Sequence, residues 1–187
     1  EPFLKKNGVF ASNTSTLPIT LLANATKNPD HFIGIHFFSP VEKMRLVEII
    51  VGKNTSPETL AKAFDFAQQI HKIPIVVNDS RGFFTSRVFG TYIDEGARLL
   101  EEGVKAAKIE NSAKLAGMPI GPLAVTDEVS LHLLITVADT NAQLDTVYGK
   151  ASTMTGEASM RIAKKLVNEF HRGGRAYNGG FYEYPQK

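Results

Sequence analysis

At 187 residues the chain is long enough for one domain, or two small ones, around a sizeable core. Its 43% apolar and 21% charged residues are ordinary for a globular protein, and a net charge of +2 with both signs interspersed leaves no basic stripe for nucleic acid or a membrane surface. Cysteine is absent, which excludes a disulfide scaffold and a thiolate metal site and fits a reducing compartment, and no apolar run approaches the roughly 18 residues of a membrane-spanning helix.

Glu1-Pro2-Phe3-Leu4-Lys5-Lys6-Asn7-Gly8 reads as a helix end, with lysines in its last turn and Asn-Gly as the stop. Almost no helix precedes it, so residues upstream are expected to be missing. Residues 9–13 predict a short buried strand. A hydroxyl-rich stretch, Thr14-Ser15-Thr16, then leads to Pro18 as the first residue of a short helix through about Ala25. Ser15 at such a junction either caps the helix or touches a ligand. Residues 32–38 and 46–51 predict two strands. Ser56-Pro57-Glu58 opens a helix to about His71-Lys72, and residues 73–77 predict another strand, closed by the turn cluster Asn78-Asp79-Ser80-Arg81-Gly82.

After Gly82 helices dominate. One has Phe84, Val88, Tyr92, Ile93, Ala97 and Leu100 on a face and ends at Gly103; a second covers 105–116. A third opens at Gly121-Pro122 and runs to about Val137. A fourth, 156–171, is amphipathic and is stopped by Gly173-Gly174. Residues 180–184 read as a strand-like piece. The chain is therefore expected to be α/β followed by all-α, with domains at 1–79 and 80–187.

Two residues stand out chemically. The apolar runs 32–38 and 46–51 each carry one ionisable group, His36 and Glu48, where a buried strand should have none. A buried carboxylate costs several kcal/mol unless paired, and the histidine on the neighbouring run is the sensible partner. Such a pair is the orienter–base half of many proton-transfer sites, and equally a satisfied structural pair; spacing leaves both open. His71 and His171 suit last helix turns, while His31 and His132 have no obvious partner. No zinc spacing, nucleophile elbow, phosphate loop or G-x-G-x-x-G after a strand occurs.

Four blocks change this balance: ASNTSTLPIT (11–20), GIHFFSPVEKMRLVEII (34–50), VVNDSRGFFTSRV (76–88) and AGMPIGPLAVTDEVSL (116–131). Together, and in order over nearly the whole chain, they resemble the 3-hydroxyacyl-CoA dehydrogenase family, closest to the dehydrogenase part of bacterial multifunctional fatty-acid oxidation α subunits. GGFYEY (179–184) is similar to the end of that family's helical domain. The resemblance implies the last part of a Rossmann-like NAD-binding domain plus a helical C-terminal dehydrogenase domain. It implies His36 as the base that takes the proton of the substrate's 3-hydroxyl, with Glu48 orienting it. Ser15 matches a serine touching substrate and cofactor, Ser39 stands where relatives carry an asparagine near the nicotinamide, and Ser86 stands where GF-x-x-N-R has the asparagine that holds the substrate carbonyl.

The resemblance further implies oxidation of (3S)-3-hydroxyacyl-CoA with NAD in β-oxidation, and a cytoplasmic place in a bacterium, or else a mitochondrial or peroxisomal matrix. Implied partners are a second copy or second dehydrogenase-type helical domain, and a thiolase subunit of the parent complex; neither nucleic acid nor membrane insertion is implied. The family's Gly-rich turn and ribose-reading acid are not in this sequence, so the chain is expected to be a fragment, inactive alone. The competing reading is a non-catalytic helical interaction module. A different β-hydroxyacid dehydrogenase is disfavoured because those enzymes more often use a lysine base.

Overall fold

The computed structural model describes residues 4–5, 7–149, 156–177 and 179–184, which fall into two compact units, Glu1–Ser86 and Arg87–Lys187. Of the helix end predicted at residues 1–8, residues 1–3 and 6 lie outside the described residues, and Gly8 N donates to Lys5 O at 2.8 Å in a turn.

The first unit is built on a four-stranded sheet in the order β1 (Phe10–Ser12), β2 (Phe32–Phe37), β3 (Leu46–Val51), β4 (Ile73–Asn78). β1 runs parallel to β2, β2 antiparallel to β3, and β3 parallel to β4. The two central strands are apolar on both faces, as strands covered on both sides must be. Alternation sorts their side chains. Ile33, Ile35, Val47 and Ile49 face α2 (Pro57–Gln69), through its Ala63 and Ala67. Phe32 and Ile50 face the other way, onto Ile19 and Ala23 of α1 (Ile19–Ala23) and onto Phe83. Gly34 permits that second layer: a Cβ there would lie 2.7 Å from Ile19 Cγ1 and 2.9 Å from Ile50 Cβ. α2 starts as predicted, with the Ser56 hydroxyl accepting from Thr59 N at 3.2 Å. β1 departs from expectation. It lies at the sheet edge, and Phe10 and Ala11 are exposed rather than buried.

The second unit contains most of α3 (Thr85–Glu101), then α4 (Ala106–Leu115), α5 (Pro122–Val129), α6 (Leu131–Tyr148) and α7 (Glu157–Phe170). Its core gathers Ile93, Leu131, Leu134 and Ala163, with Phe89, Tyr92, Met160 and Phe181 packed around them. The single helix predicted from Gly121 to about Val137 is two. Ser130 breaks it in a left-handed conformation, φ 79°, and its hydroxyl donates to Gly173 O at 3.2 Å and accepts from Leu133 N. Leu131 N donates to the same carbonyl at 2.9 Å, so the break is held from outside the helix. α7 ends at Phe170, and His171 itself takes the left-handed cap, φ 55°, ahead of the glycines. His71 does the same after α2, φ 58°. The 180–184 piece forms isolated bridges among Gly174, Gly179 and Glu183, not a strand.

The starts of α5 and α7 have no side-chain cap at the position before the helix. Buried carboxylates elsewhere supply one. Glu110 accepts from Leu123 N and Ala124 N, both at 3.0 Å, and Asp94 accepts from Ser159 N at 2.9 Å. Each carboxylate occupies room left by a glycine. A Cβ on Gly121 would sit 1.9 Å from Glu110 Oε2, and one on Gly156 1.7 Å from Asp94 Cγ. Gly121→Ala should therefore lower stability by about 1–3 kcal/mol in urea unfolding, and an unchanged midpoint would contradict this packing.

Candidate active site

Antiparallel register sets His36 on β2 directly opposite Glu48 on β3. The imidazole Nδ1 lies 2.7 Å from Glu48 Oε2. Both groups are buried, with Glu48 at 0% and His36 at 7% exposure. The imidazole packs between two aromatic rings, Phe38 at 4.6 Å and Phe83 at 6.0 Å between centroids. The pair projects from the sheet face that α1 and Phe83 cover.

Glu48 is held by more than the histidine. Its Oε1 accepts from Phe84 N at 3.1 Å and Thr85 N at 2.9 Å, and its Oε2 also accepts from Thr85 Oγ1 at 2.6 Å. These amides belong to the start of α3, so the carboxylate is the helix's N-terminal cap, supplied from a strand. The chain reaches this position through two successive left-handed residues, Gly82 at φ 71° and Phe83 at φ 49°. Glycine takes that conformation without cost; phenylalanine does not. Burial of the Phe83 ring, 1% exposed against Ile19, Phe32 and Ile50, offsets the strain. Burial pushes the Glu48 carboxyl up, but the hydrogen bonds from His36 and from the Thr85 side chain and backbone, with the charge on His36, bring it below the usual carboxylate value. An ionised carboxylate only accepts, so His36 Nδ1 carries the hydrogen, and in the uncharged ring Nε2 carries the lone pair.

Among the described residues, none of the other sequence-predicted residues, Ser15, Ser39 and Ser86, hydrogen-bonds to this pair. Ser15 is exposed in the loop after β1, at the edge where β1 and β2 end. Asn13, two residues earlier, ties that loop to β2 by accepting from Phe37 N at 2.9 Å. Ser15 does not cap α1: the Asp79 carboxylate does, taking Ile19 N at 2.9 Å and Thr20 N at 2.7 Å. Ser39 is exposed in the β2–β3 connection, which Lys72 steadies through Met44 O at 2.7 Å and Val41 O. Ser86 is half-buried in the first turn of α3. Thr85 and Asp79 were not among the candidates. Thr85 had a signal, a hydroxyl at the helix start facing a buried acid; Asp79 had only its place in a turn cluster. His31 lies 3.6 Å from Asp30, and His132 packs at a tilt against Tyr177, 4.5 Å between ring centroids. Among the described residues no group of acids and histidines is placed to hold a metal ion, and no helix is long and apolar enough to cross a membrane.

A family model described as the NAD binding domain of 3-hydroxyacyl-CoA dehydrogenase matches residues 1–80, and one described as the C-terminal domain matches residues 82–184. The fold thus belongs with two-part NAD-dependent dehydrogenases, a Rossmann-like sheet layer followed by a helical domain. The fatty acid oxidation complex subunit alpha of Shewanella frigidimarina is 40% identical over 182 residues, covering 97% of this chain and 24% of that protein. The (S)-3-hydroxybutyryl-CoA dehydrogenase of Ralstonia eutropha superposes with a TM-score of 0.84 at 35% identity, over 99% of this chain and 63% of that one. A 3-hydroxybutyryl-CoA dehydrogenase of Escherichia coli gives 0.80 at 28%, over 96% and 37%. The chain belongs to the 3-hydroxyacyl-CoA dehydrogenase family, and it spans about a quarter of the length of the curated relatives it matches.

The depressed Glu48 pKa fixes a pH dependence. Its folded value lies below the unfolded value of about 4.5, so its contribution is full above that pH and is lost as pH falls through the folded value. Urea midpoints measured between neutral pH and pH 3 should fall more steeply for the parent than for Glu48→Gln. Parallel slopes would contradict the assignment.

Proposed function

We propose that this chain supplies the acid–base half of an NAD-dependent dehydrogenase site that oxidises (3S)-3-hydroxyacyl-CoA to 3-oxoacyl-CoA. The observation that carries the reading is the oriented imidazole: Nδ1 bound to a buried, ionised Glu48 at 2.7 Å, Nε2 left to accept. His36 Nε2 takes the proton of the 3-hydroxyl as the C3–H bond breaks and C3–O becomes a carbonyl. Bound NAD supplies the hydride acceptor. Glu48 holds the imidazole in the receptive tautomer and stabilises its positive charge once the proton has moved. Phe38 and Phe83 give the ring apolar neighbours.

Ser15 is assigned to substrate and cofactor, Ser39 to the nicotinamide end and Ser86 to the substrate carbonyl. The exposed hydroxyl-rich loop after β1 fits the cofactor's reacting end, because in open α/β sheets ligands lie outside the carboxyl ends of the strands. The pyrophosphate and ribose ends need a Gly-rich turn and an acid that this sequence does not contain. The boundary near Ser80 then divides a cofactor-side domain, 1–79, from a helical domain, 80–187, which packs on a second such domain. The setting proposed is a bacterial cytoplasmic β-oxidation complex that includes a thiolase.

In the intact protein His36→Gln should lower oxidation of 3-hydroxyacyl-CoA by about 10²–10⁴-fold. A rate near that of the parent would refute the role of His36 and favour a non-catalytic interaction module. Calorimetry on residues 1–187 alone should show no micromolar binding of NAD; such binding would show that the Gly-rich turn is dispensable.

A further inference from the structure

We propose that Thr85 is a positioning residue that sets the basicity of His36 by sharing one Glu48 oxygen with it. Glu48 Oε2 accepts from His36 Nδ1 at 2.7 Å and from Thr85 Oγ1 at 2.6 Å. Two donors on one carboxylate oxygen compete for the same electron density. Each bond to the ionised form stabilises the anion and reduces what it offers the other partner.

The hydroxyl is not engaged in the ordinary business of a helical threonine. Thr91, Thr126, Thr136 and Thr140 each donate to the backbone carbonyl four residues earlier. A threonine at a helix start more often accepts from an amide of its own first turn. Thr85 instead donates across to a strand, while its own amide serves the other oxygen of the same carboxylate at 2.9 Å. One residue therefore grips both oxygens of Glu48 and fixes the plane in which the carboxylate meets the imidazole.

From β2 the titratable group facing Glu48 is His36 itself, and from β4 its register partner is the apolar Ile75. Asp79, before the turn, is engaged with the α1 amides. The remaining charged residues of the 79–87 segment are Arg81, which is buried, and Arg87, which is exposed. Phe38 and Phe83 flank the ring without charge.

Loss of the hydroxyl frees Oε2 for the imidazole, so the charged form of His36 gains and its titration midpoint rises. Thr85→Val removes the donor and keeps the branched shape; Thr85→Ser keeps the donor. In the intact protein with ¹⁵N-labelled histidine, the His36 midpoint should rise by about 0.5–1 pH unit in Thr85→Val and stay with the parent in Thr85→Ser. Thr85→Ala gives the same comparison should valine disturb the helix start. Coincident midpoints in parent and Thr85→Val, or an equal rise in Thr85→Ser, would overturn the proposal. The kinetic consequence rests on the dehydrogenase reading: the acid limb of kcat/KM for oxidation should move upward with the midpoint in Thr85→Val. A moved midpoint with a stationary limb would uphold Thr85's hold on the imidazole and refute His36 as the base.

Discussion

A carboxylate fully withdrawn from water holds this unit's working parts together. Glu48 is 0% exposed and accepts four hydrogen bonds, one from His36, two from Thr85 and one from Phe84. A buried charge without such donors would cost several kcal/mol, so the native arrangement must bring all of them to one point. That requirement fixes the β2–β3 register, because a slip by one residue would turn His36 to the α2 face. It also fixes where α3 begins. The left-handed pair Gly82-Phe83, strained at Phe83, aims the next two amides at the carboxylate, and the Phe83 ring closes the same cluster from the α1 side. Strand pairing, helix start and imidazole orientation are consequences of one buried charge.

The same device recurs through the chain. Asp79 caps α1, Glu110 caps α5, and Asp94 caps α7 while also binding Arg98 Nε at 2.8 Å. Asp127 takes Phe181 N, Tyr182 N and Tyr184 Oη, anchoring the 180–184 segment. In the second unit a glycine stands against each acid: Gly121 beside Glu110, Gly156 beside Asp94, and Gly180, whose Cβ would lie 1.9 Å from Asp127 Oδ1. Distant carboxylates do here what local serine and threonine caps do in most helices. Tertiary contacts, more than local propensity, therefore decide where these helices start. Burial pushes the Asp94 carboxyl up, yet the Ser159 amide and hydroxyl and the Arg98 guanidinium draw it below its usual value, so it shares with Glu48 the sensitivity to acid.

What the sequence disclosed followed from two kinds of signal. An ionisable residue in each of two apolar runs pointed to His36 and Glu48 facing one another, because a strand has only two faces and a buried charge needs a partner. Helical periodicity located α2, α3, α4 and α7 to within a few residues at their ends. The misses share a cause. The break at Ser130 has neither glycine nor proline to announce it and depends on Gly173, far along the chain. The capping of α1 by Asp79 spans 60 residues, beyond any local pattern. Burial was expected for β1 because its residues are apolar; an edge position left Phe10 exposed. Ser15, Ser39 and Ser86 were named through family resemblance, and the local geometry gives them positions without giving them a hydrogen bond to the pair.

Everything proposed for this site requires that Glu48 hold the uncharged His36 ring with its hydrogen on Nδ1 and its lone pair on Nε2. The ¹⁵N shifts of the His36 imidazole at neutral to alkaline pH, where the ring is uncharged, test this most directly. A pyrrole-type Nδ1 and a pyridine-type Nε2 are expected. The opposite tautomer, or an even mixture of the two, would contradict it.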